Sequence, residues 1–252
     1  MVTRDVLLSH LNTLLKPQRV KDYAPNGLQV EGKLNIHTLV TGVTACQALL
    51  DEAVRLKADA VLVHHGYFWE KENPCLVGLK HHRIATLIKH ELNLFAYHLP
   101  LDIEPEFGNN AALAQQLSIT VTDRLESAMV PGLIYVGELQ TPLDPTAFSN
   151  HLEQRLAHKP IHIPGDQSQI KRIAWCTGAA QSLIQDVLPL NVDAYLSGEI
   201  SEATVHIARE SGLHYYAAGH HATERYGVKL LGELLAKTFD IAVHFIDIDN
   251  PV

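Results

Sequence analysis

Two long stretches of the chain alternate strand-like apolar runs with helix-like runs, and this alternation restricts its possible folds more than any other feature. In the first stretch, strands are predicted at 37–43, 58–63 and 92–97, with helical segments between them. The second stretch, from residue 170 onward, alternates in the same way through four predicted strands, with helices predicted at 180–188, 203–210 and 226–238. Strands that alternate with helices are typical of βαβ units, so the sequence predicts an α/β fold with a largely parallel sheet.

The two stretches also match each other, which indicates a duplicated unit and therefore two similar βαβ-rich halves. A chance alignment is the alternative, because any two βαβ runs can be aligned with a little sliding. The matched segments are Asp59-Ala60-Val61-Leu62 with Asp193-Ala194-Tyr195-Leu196, Thr41-Gly42 with Thr177-Gly178, and His98 and Asp102 with His220 and Glu224.

The same pattern divides the chain into three predicted parts. Residues 1–122 form the first α/β half and residues 170–252 the second. Residues 123–169 form a linking or inserted strand–helix element between them. The first half opens with an amphipathic helix at 3–15, followed by a loop at 25–30.

The composition excludes several classes of protein. Lys and Arg total 20 against 28 Asp and Glu, a formal charge of −8 without a basic run, so there is no strong signal for nucleic-acid binding. No apolar run approaches the ~20 residues that cross a bilayer, and the N-terminus lacks a long apolar leader, so we expect a cytoplasmic protein without membrane contact. Three cysteines without a CxxC pair favour neither a disulfide framework nor a zinc–thiolate site.

Sixteen histidines are present, and some of them cluster where predicted strands end. His64 and His65 follow the second strand, and His98 follows the third, four residues before Asp102. A further cluster, His220-His221 with Glu224, follows a strand of the second stretch. Ligands of parallel sheets bind beyond the carboxyl ends of the strands, so these side chains are candidate ligands for a metal site between the halves.

Imidazole and carboxylate groups together suit Zn, Fe, Mn or Ni, and the absence of cysteine from the clusters disfavours a closed structural zinc site. An open site lowers the pKa of bound water from 15.7 toward ~7 and so supplies hydroxide at neutral pH. Five or six ligands suit two divalent ions better than one. Taken alone, a His-His pair is more often an ordinary loop or hydrogen-bonding pair, and this alternative stays open.

Other polar residues have weaker claims on the site. Glu199 ends a predicted strand and is a candidate general base, with a surface acid or helix cap as the alternative. His81-His82 is expected to be a solvated basic patch, although such a patch can also meet a substrate phosphate. Tyr67, Trp69 and Glu70 follow the first histidine pair and are candidates to line a pocket.

Taken together, these motifs resemble the Nif-three-like family, whose members are described as GTP cyclohydrolase I type 2 homologues. The resemblance extends along nearly the whole chain. It is carried by Asn26-Gly27-Leu28-Gln29-Val30, by His64-His65, by His98 with Asp102, by the run from Asp193 to Glu199, and by Gly219-His220 with Glu224.

The resemblance implies a dinuclear metal site. Carried over to this sequence, it implies that His64 and Asp102 bind one ion and that His65 and His220 bind the other. Glu224 would then bridge both ions. The sequence leaves the identity of the metals open.

The resemblance also implies that His98 lies beside the metals, and we take His98 and Glu199 as the catalytic candidates. His221 has no role in the shared pattern. Many relatives carry a histidine shortly after the Gly-acid pair, whereas Ala203 stands about there in this chain and His206 lies further on. The family further implies a toroidal homohexamer, a trimer of dimers.

The function implied is that of a dinuclear metal-dependent hydrolase acting on a nucleotide or related heterocycle through metal-bound hydroxide. The family name implies opening of the guanine imidazole ring of GTP with loss of formate, although no GxxxxGK[ST] phosphate loop is present. A two-metal phosphoesterase is an alternative enzyme. A metal-binding regulatory or scaffold protein without turnover is the alternative outside enzymes.

Overall fold

A computed structural model of the chain describes residues 1–126 and 130–252. Three residues of the predicted linking element, 127–129, lie outside the described residues. Among the residues described, no helix is both long enough and apolar enough to span a bilayer.

The described chain forms two compact units, each assembled from separate segments. Unit 1 comprises Met1–Gly108 and Gly227–Asp249, and unit 2 comprises Asn109–Tyr226 and Asn250–Val252. These spans differ from the predicted boundaries after residues 122 and 169. The reason lies in strand pairing, because three strands between residues 119 and 163 join the sheet of unit 2, and the last strand of the chain joins the sheet of unit 1.

Unit 1 contains a five-stranded sheet in the order β13-β4-β5-β6-β2 and a small antiparallel pair, β1 and β3. Its strands are β1 (Val2–Thr3), β2 (Gly27–Val30), β3 (Asn35–Ile36), β4 (Thr38–Thr44), β5 (Ala60–His65), β6 (Asn93–Ala96) and β13 (Ala242–Phe245). Its helices are α1 (Arg4–Leu15), α2 (Gln47–Arg55), α3 (Gly78–Lys89) and α4 (Leu99–Ile103). The four strands β13, β4, β5 and β6 run parallel, and β2 pairs antiparallel with β6 at the edge.

Unit 2 contains a six-stranded sheet in the order β7-β8-β10-β11-β12-β9. Its strands are β7 (Ile119–Glu126), β8 (Pro131–Leu143), β9 (Ile161–Ile163), β10 (Ile170–Trp175), β11 (Ala194–Ser197) and β12 (His214–Ala217). Its helices are α5 (Asn109–Leu117), α6 (Pro145–Leu156), α7 (Ile184–Val187) and α8 (Glu202–Ser211), and α9 (His220–Phe239) begins in unit 2 and ends in unit 1.

Local sequence chemistry explains where several helices begin. Thr3 caps α1, since its hydroxyl accepts a hydrogen bond from the Val6 amide, and Leu7, Leu11 and Leu15 bury one face of that helix. Asp144 caps α6 in the same way by accepting from two amides of the first turn. The amphipathic helix predicted at 3–15 is therefore confirmed within one residue.

Two predicted elements differ from the structure. The single helix expected at 180–188 is broken into a 3-10 turn, the short α7 and a second 3-10 turn that contains Pro189, which has no amide proton to donate. The loop expected at 25–30 contains β2. Both elements are short, so their sequences carry little periodicity.

The two sheets share one topology. The order β4-β5-β6-β2 in unit 1 repeats as β10-β11-β12-β9 in unit 2, with two parallel pairs followed by an antiparallel edge strand in each. The edge strand also precedes the other three in sequence in both units. This shared order is what two similar halves require.

Strand register supports one of the three sequence matches and corrects another. Ala60 pairs with Leu39 and Ala194 pairs with Ile173, so the segments that begin at Asp59 and Asp193 occupy equivalent strands. Thr41, however, pairs with Leu62, whereas Trp175 pairs with the equivalent Leu196. The match of Thr41-Gly42 with Thr177-Gly178 is therefore wrong by two positions, because a Thr-Gly pair alone does not fix register.

Candidate metal centre

The first histidine pair lies inside a strand. His64 and His65 are the last two residues of β5, whereas the sequence predicts that the strand ends at residue 63 and that the pair follows it. The His64 side chain is completely buried, and the centres of the two imidazole rings are 4.4 Å apart. Strand β5 therefore holds both rings on rigid backbone.

One main-chain oxygen fixes the orientation of His64. The Nδ1 of His64 lies 3.1 Å from the carbonyl oxygen of Tyr97, which can only accept a hydrogen bond, so Nδ1 carries the proton. Nε2 then faces Asp102, with 3.6 Å between Nε2 and Oδ1. Asp102, four residues after His98, is itself buried on α4.

Two further histidines of unit 1, His65 and His98, also have Nδ1 beside an oxygen atom. The Nδ1 of His65 lies 3.1 Å from the hydroxyl of Thr44, and the Nδ1 of His98 donates to Oδ1 of Asp22 at 2.9 Å. Potential ligand atoms of His64, His65 and His98 all lie within 4.8 Å of one another. Unit 1 alone thus gathers three imidazoles at a spacing that suits a cation.

Sequence reasoning missed the roles of Asp22 and Asn26. Asp22 accepts hydrogen bonds from the His98 ring, the Leu99 amide and the side-chain amide of Asn26. Burial raises the pKa of Asp22, but its hydrogen bonds and the charge of His98 outweigh burial and lower the pKa below its ordinary value. The only signal was the Asn26 motif itself, whose role the sequence does not reveal.

Aromatic side chains border the histidines. The Trp69 ring lies 5.0 Å from the His98 ring and 5.9 Å from the His65 ring, between ring centres. The Tyr23 ring lies 5.0 Å from His98 and is about half exposed. Of the predicted lining residues, Trp69 reaches the histidines, whereas the Tyr67 hydroxyl is bound to a main-chain oxygen in the core.

In unit 2, one histidine is held between two carboxylates. The Nδ1 of His220 lies 2.7 Å from Oε1 of Glu199, and its Nε2 lies 2.9 Å from Oε2 of Glu224. His220 and Glu224 are one turn apart on α9, which begins at His220 and not at the predicted residue 226. Burial lowers the pKa of His220, but the hydrogen bonds and charges of Glu224 and Glu199 outweigh burial and raise the pKa to about 9.

Two glycines give these side chains their room. Gly178 has a φ of +66°, and a Cβ at that position would overlap Oε1 of Glu224. A Cβ on Gly198 would lie 2.7 Å from the Cα of His220, closer than real Cβ contacts. A buried carboxylate is therefore fitted into a cradle that larger residues would fill.

The remaining candidates lie apart from these two clusters. The main-chain amide of His221 donates to the Val252 carbonyl, while Ala203 and His206 are exposed on α8. His81 and His82 are exposed on α3, as expected of a solvated patch.

The donor set fits a divalent metal. Four histidines of the two clusters have Nδ1 in contact with an oxygen atom. The pairs are His64 with Tyr97, His65 with Thr44, His98 with Asp22, and His220 with Glu199. Metal-binding histidines are usually oriented by such a bond from the second ring nitrogen, which directs the lone pair of the first toward the ion. In such an arrangement Nε2 would be the coordinating atom, and in His64 and His220 Nε2 faces a carboxylate.

Comparison with known proteins gives a consistent result. A sequence model of the Duf34/NIF3 family (NGG1p interacting factor 3) matches residues 2–251. The GTP cyclohydrolase 1 type 2 homolog of Pseudomonas aeruginosa is 50% identical over 250 residues, which cover 99% of each chain. The protein of the same name from Escherichia coli K12 is 52% identical over 243 residues, 96% of each chain.

Solved structures agree over the whole length. Protein ybgI, described as of unknown function, is 50% identical with a TM-score of 0.96, and the match covers 100% of both chains. TTHA1606 from Thermus thermophilus is 31% identical with a TM-score of 0.88, again over 100% of both chains.

Proposed function

The chain belongs to the Duf34/NIF3 family, and we propose that it is a dinuclear metal-dependent hydrolase acting on a nucleotide or related heterocycle. The observation that carries the proposal is the common orientation of the four histidines, each with Nδ1 at an oxygen atom. A purely structural hydrogen-bonding cluster has no need of the same ring nitrogen at every position. The name shared by the curated relatives, GTP cyclohydrolase 1 type 2 homolog, supports a nucleotide substrate.

We assign the metal ligands as the family resemblance implies. His64 and Asp102 would hold one ion, His65 and His220 the other, and Glu224 both. Divalent ions bound there would supply Lewis acidity and a water nucleophile near neutral pH.

His98 and Glu199 are the proposed catalytic groups. His98 is held by Asp22 and flanked by Trp69 and Tyr23, so its ring lies at an aromatic surface on which a planar heterocycle can stack. Glu199 is about one-third exposed and bound to His220, which leaves it able to exchange protons with solvent. These contacts suit a flat, polar substrate better than a flexible apolar one.

Metal content of untagged protein tests the metal assignment. We expect about two equivalents of divalent metal in the wild type and a sharp reduction in Glu224→Ala, because removing the proposed bridging carboxylate weakens both sites. The matched control is Glu202→Ala, since Glu202 also pairs with a histidine one turn away, His206, on an exposed helix face. If the wild-type protein took up no Zn, Mn, Fe or Ni, the assignment of a metal site would be wrong.

Product analysis tests the reaction. Formate released from GTP, or ring opening of a related heterocycle, is expected from the wild type and not from Asp102→Ala. Release of phosphate in place of formate would favour a phosphoesterase. A scaffold role would be favoured if Asp102→Ala lost stability and the wild type showed no turnover of any nucleotide in a panel.

We also propose the homohexamer that the resemblance implies. Light scattering is expected to give the mass of six chains of 27.9 kDa each. The mass of a single chain or a dimer would contradict it.

A further inference from the structure

The motif Asn26-Gly27-Leu28-Gln29-Val30 has no role in the proposed chemistry, and Asp22 enters that chemistry only by holding His98. We propose that Asp22, Asn26 and Gln29 are positioning residues that set the His98 ring and the loop after His65. This inference deepens the proposed function and rests on it where metal affinity is concerned. The positioning itself has a readout that needs no metal.

Asp22 and Asn26 hold His98 from two sides. Asp22 Oδ1 accepts from His98 Nδ1 at 2.9 Å, and Asp22 Oδ2 accepts from the Leu99 amide at 3.0 Å. Asn26 Oδ1 accepts from the His98 amide at 2.7 Å, and its Nδ2 donates to Asp22 Oδ2 at 2.9 Å. The ring and the main chain of His98 are thus bound to one small network.

Gln29 holds the other loop through a two-point contact. Its Oε1 accepts from the Tyr67 amide at 2.7 Å, and its Nε2 donates to the Tyr67 carbonyl at 3.0 Å. The side chain therefore binds the main chain of Tyr67 as a neighbouring strand would, two residues after His65. Gly66 makes this possible, because a Cβ there would overlap Gln29 Oε1.

The strands alone do not fix these loops. The ladder between β5 and β6 ends at the pair Val63 and Ala96, extended only by the bond from the Tyr97 amide to the Val63 carbonyl. His65 still pairs with Thr44 of β4, whereas Tyr67 and His98 lie beyond the strand pairs, where Gln29 and Asn26 contact them. Because β2 pairs with β6, the motif is itself anchored to the sheet.

Nitrogen NMR of the His98 ring in metal-free protein tests positioning directly. We expect the wild type to show His98 protonated at Nδ1 and Asp22→Ala to lose that fixed tautomer. Asn93→Ala is the matched control, since Asn93 lies at the opposite end of β6 and also bonds main-chain atoms, yet does not contact the histidines. An unchanged His98 tautomer in Asp22→Ala would overturn the inference.

Zn²⁺ affinity, measured by competition with a chelator, tests the consequence. The His98 ring borders those of the proposed ligands His64 and His65. We therefore expect Asp22→Ala to weaken Zn²⁺ binding measurably, but by less than the roughly 10- to 100-fold that is typical when a ligand loses its own orienting partner. Asp22→Asn restores an acceptor for His98 and is expected to recover most of that loss, and Gln29→Ala is expected to weaken binding less than Asp22→Ala. Asn93→Ala is expected to lower the melting temperature and leave Zn²⁺ affinity unchanged.

The two experiments separate the proposals. If the wild type binds no Zn²⁺ while Asp22→Ala still changes the His98 tautomer, the metal proposal fails and the positioning role stands. If the wild type binds Zn²⁺ and Asp22→Ala binds it equally well, the metal proposal stands and Asp22 does not position His98 for it.

Discussion

The two units share a four-stranded frame, β4-β5-β6-β2 in unit 1 and β10-β11-β12-β9 in unit 2, but carry different side chains at the same strand ends. Counting from Asp59 and Asp193, the positions of His64-His65 in unit 1 correspond to Gly198-Glu199 in unit 2. By the same register, Thr44 corresponds to Gly178. Thr44 bonds the His65 ring, whereas Gly178 leaves space for Glu224. Equivalent positions thus differ in kind. In unit 1 they carry imidazoles and the hydroxyl that binds one of them, and in unit 2 they carry a carboxylate and the glycines that leave room for another.

What the units keep in common is the device that holds the frame. Asp59 Oδ2 accepts from the amides of His37 and Thr38, and Asp193 Oδ2 accepts from those of Lys171 and Arg172. In both units an aspartate at the start of one strand binds the start of its neighbour. The frame repeats, and the chemistry at its far end does not.

The largest effect is expected at Gly178. In Gly178→Ala the new Cβ overlaps Glu224 at a left-handed backbone position, so we expect a loss of about 2–5 kcal/mol in the free energy of unfolding. Urea denaturation, with both tryptophans as reporters, measures the loss. In unit 1 the equivalent Thr44→Gly is expected to cost only about 1 kcal/mol.

Gly132→Ala is the control for backbone strain. Gly132 has a φ of +75°, and a Cβ there meets no atom of the described residues within 4 Å. It is expected to show only the backbone cost of about 1–2 kcal/mol. If Gly132→Ala and Gly178→Ala lost the same free energy of unfolding, the space that Gly178 leaves for Glu224 would not contribute to stability.

The shared aspartates come next. We expect Asp59→Ala and Asp193→Ala each to lower the free energy of unfolding by about 2–3 kcal/mol, because each leaves two strand-end amides without their acceptor. Asp59→Ala is expected to be slightly worse, since Asp59 also pairs with Lys33 at 3.0 Å. A loss at only one of the two positions would contradict an equivalent frame.

Asp59 adds a pH dependence to this prediction. Burial raises its pKa, but hydrogen bonds from His37, Lys33 and Thr38 outweigh burial and lower the pKa. The stabilisation is therefore present above the unfolded-state pKa of about 3.9 and is lost as pH falls through the folded-state value. Urea midpoints between pH 6 and pH 3 are expected to fall less steeply in Asp59→Asn than in the wild type.

The smallest effect concerns the first residue of the third frame strand, which is Asn93 in unit 1 and His214 in unit 2. His214 Nδ1 accepts from His162 Nε2 and from the Gly165 amide. Burial and the neighbouring His214 lower the pKa of His162, so protonation favours the unfolded state. The stabilisation is full above the unfolded-state pKa of about 6.5 and declines as the pH falls below it.

Each unit has its own tryptophan, so the pH dependence of stability expected in unit 2 can be measured by fluorescence. Trp69 lies in unit 1 and the buried Trp175 in unit 2. In Trp69→Phe, the Trp175 signal is expected to show a lower urea midpoint at pH 5.5 than at pH 7.5, and His162→Gln is expected to reduce that difference. The same midpoint shift in His162→Gln would assign the pH response to other groups.

The sequence predicts those parts of the fold that have strong periodicity or local chemistry. Seven strands lie where apolar runs indicate, namely β4, β5, β6, β10, β11, β12 and β13. Edge strands β2 and β9 escape prediction because they are only four and three residues long and lie among turn residues. Their pairing depends on partners far away in sequence, which no local pattern contains.

The candidate site is predictable as a set of residue types but not as a set of contacts. Placement at the ends of predicted strands brings out the candidates His64, His65, His98, Asp102, His220, His221 and Glu224. The start of α9 at His220 escapes prediction because its first residues, two histidines and a threonine among them, are typical of a loop. The part played by Asp22 is a tertiary contact over 76 positions, and no sequence period spans that distance.

One feature of unit 1 affects how the chain is made. Strand β4 is flanked by β5, which follows it closely, and by β13, which begins at Ala242. At ~5–20 residues per second, a ribosome takes on the order of 10–40 seconds to progress from β4 to β13. Throughout that interval the apolar β4 has an open edge, which is the kind of surface that recruits other chains. In a newly made chain, this edge of β4 is therefore covered by its own partner strand only once β13 has emerged.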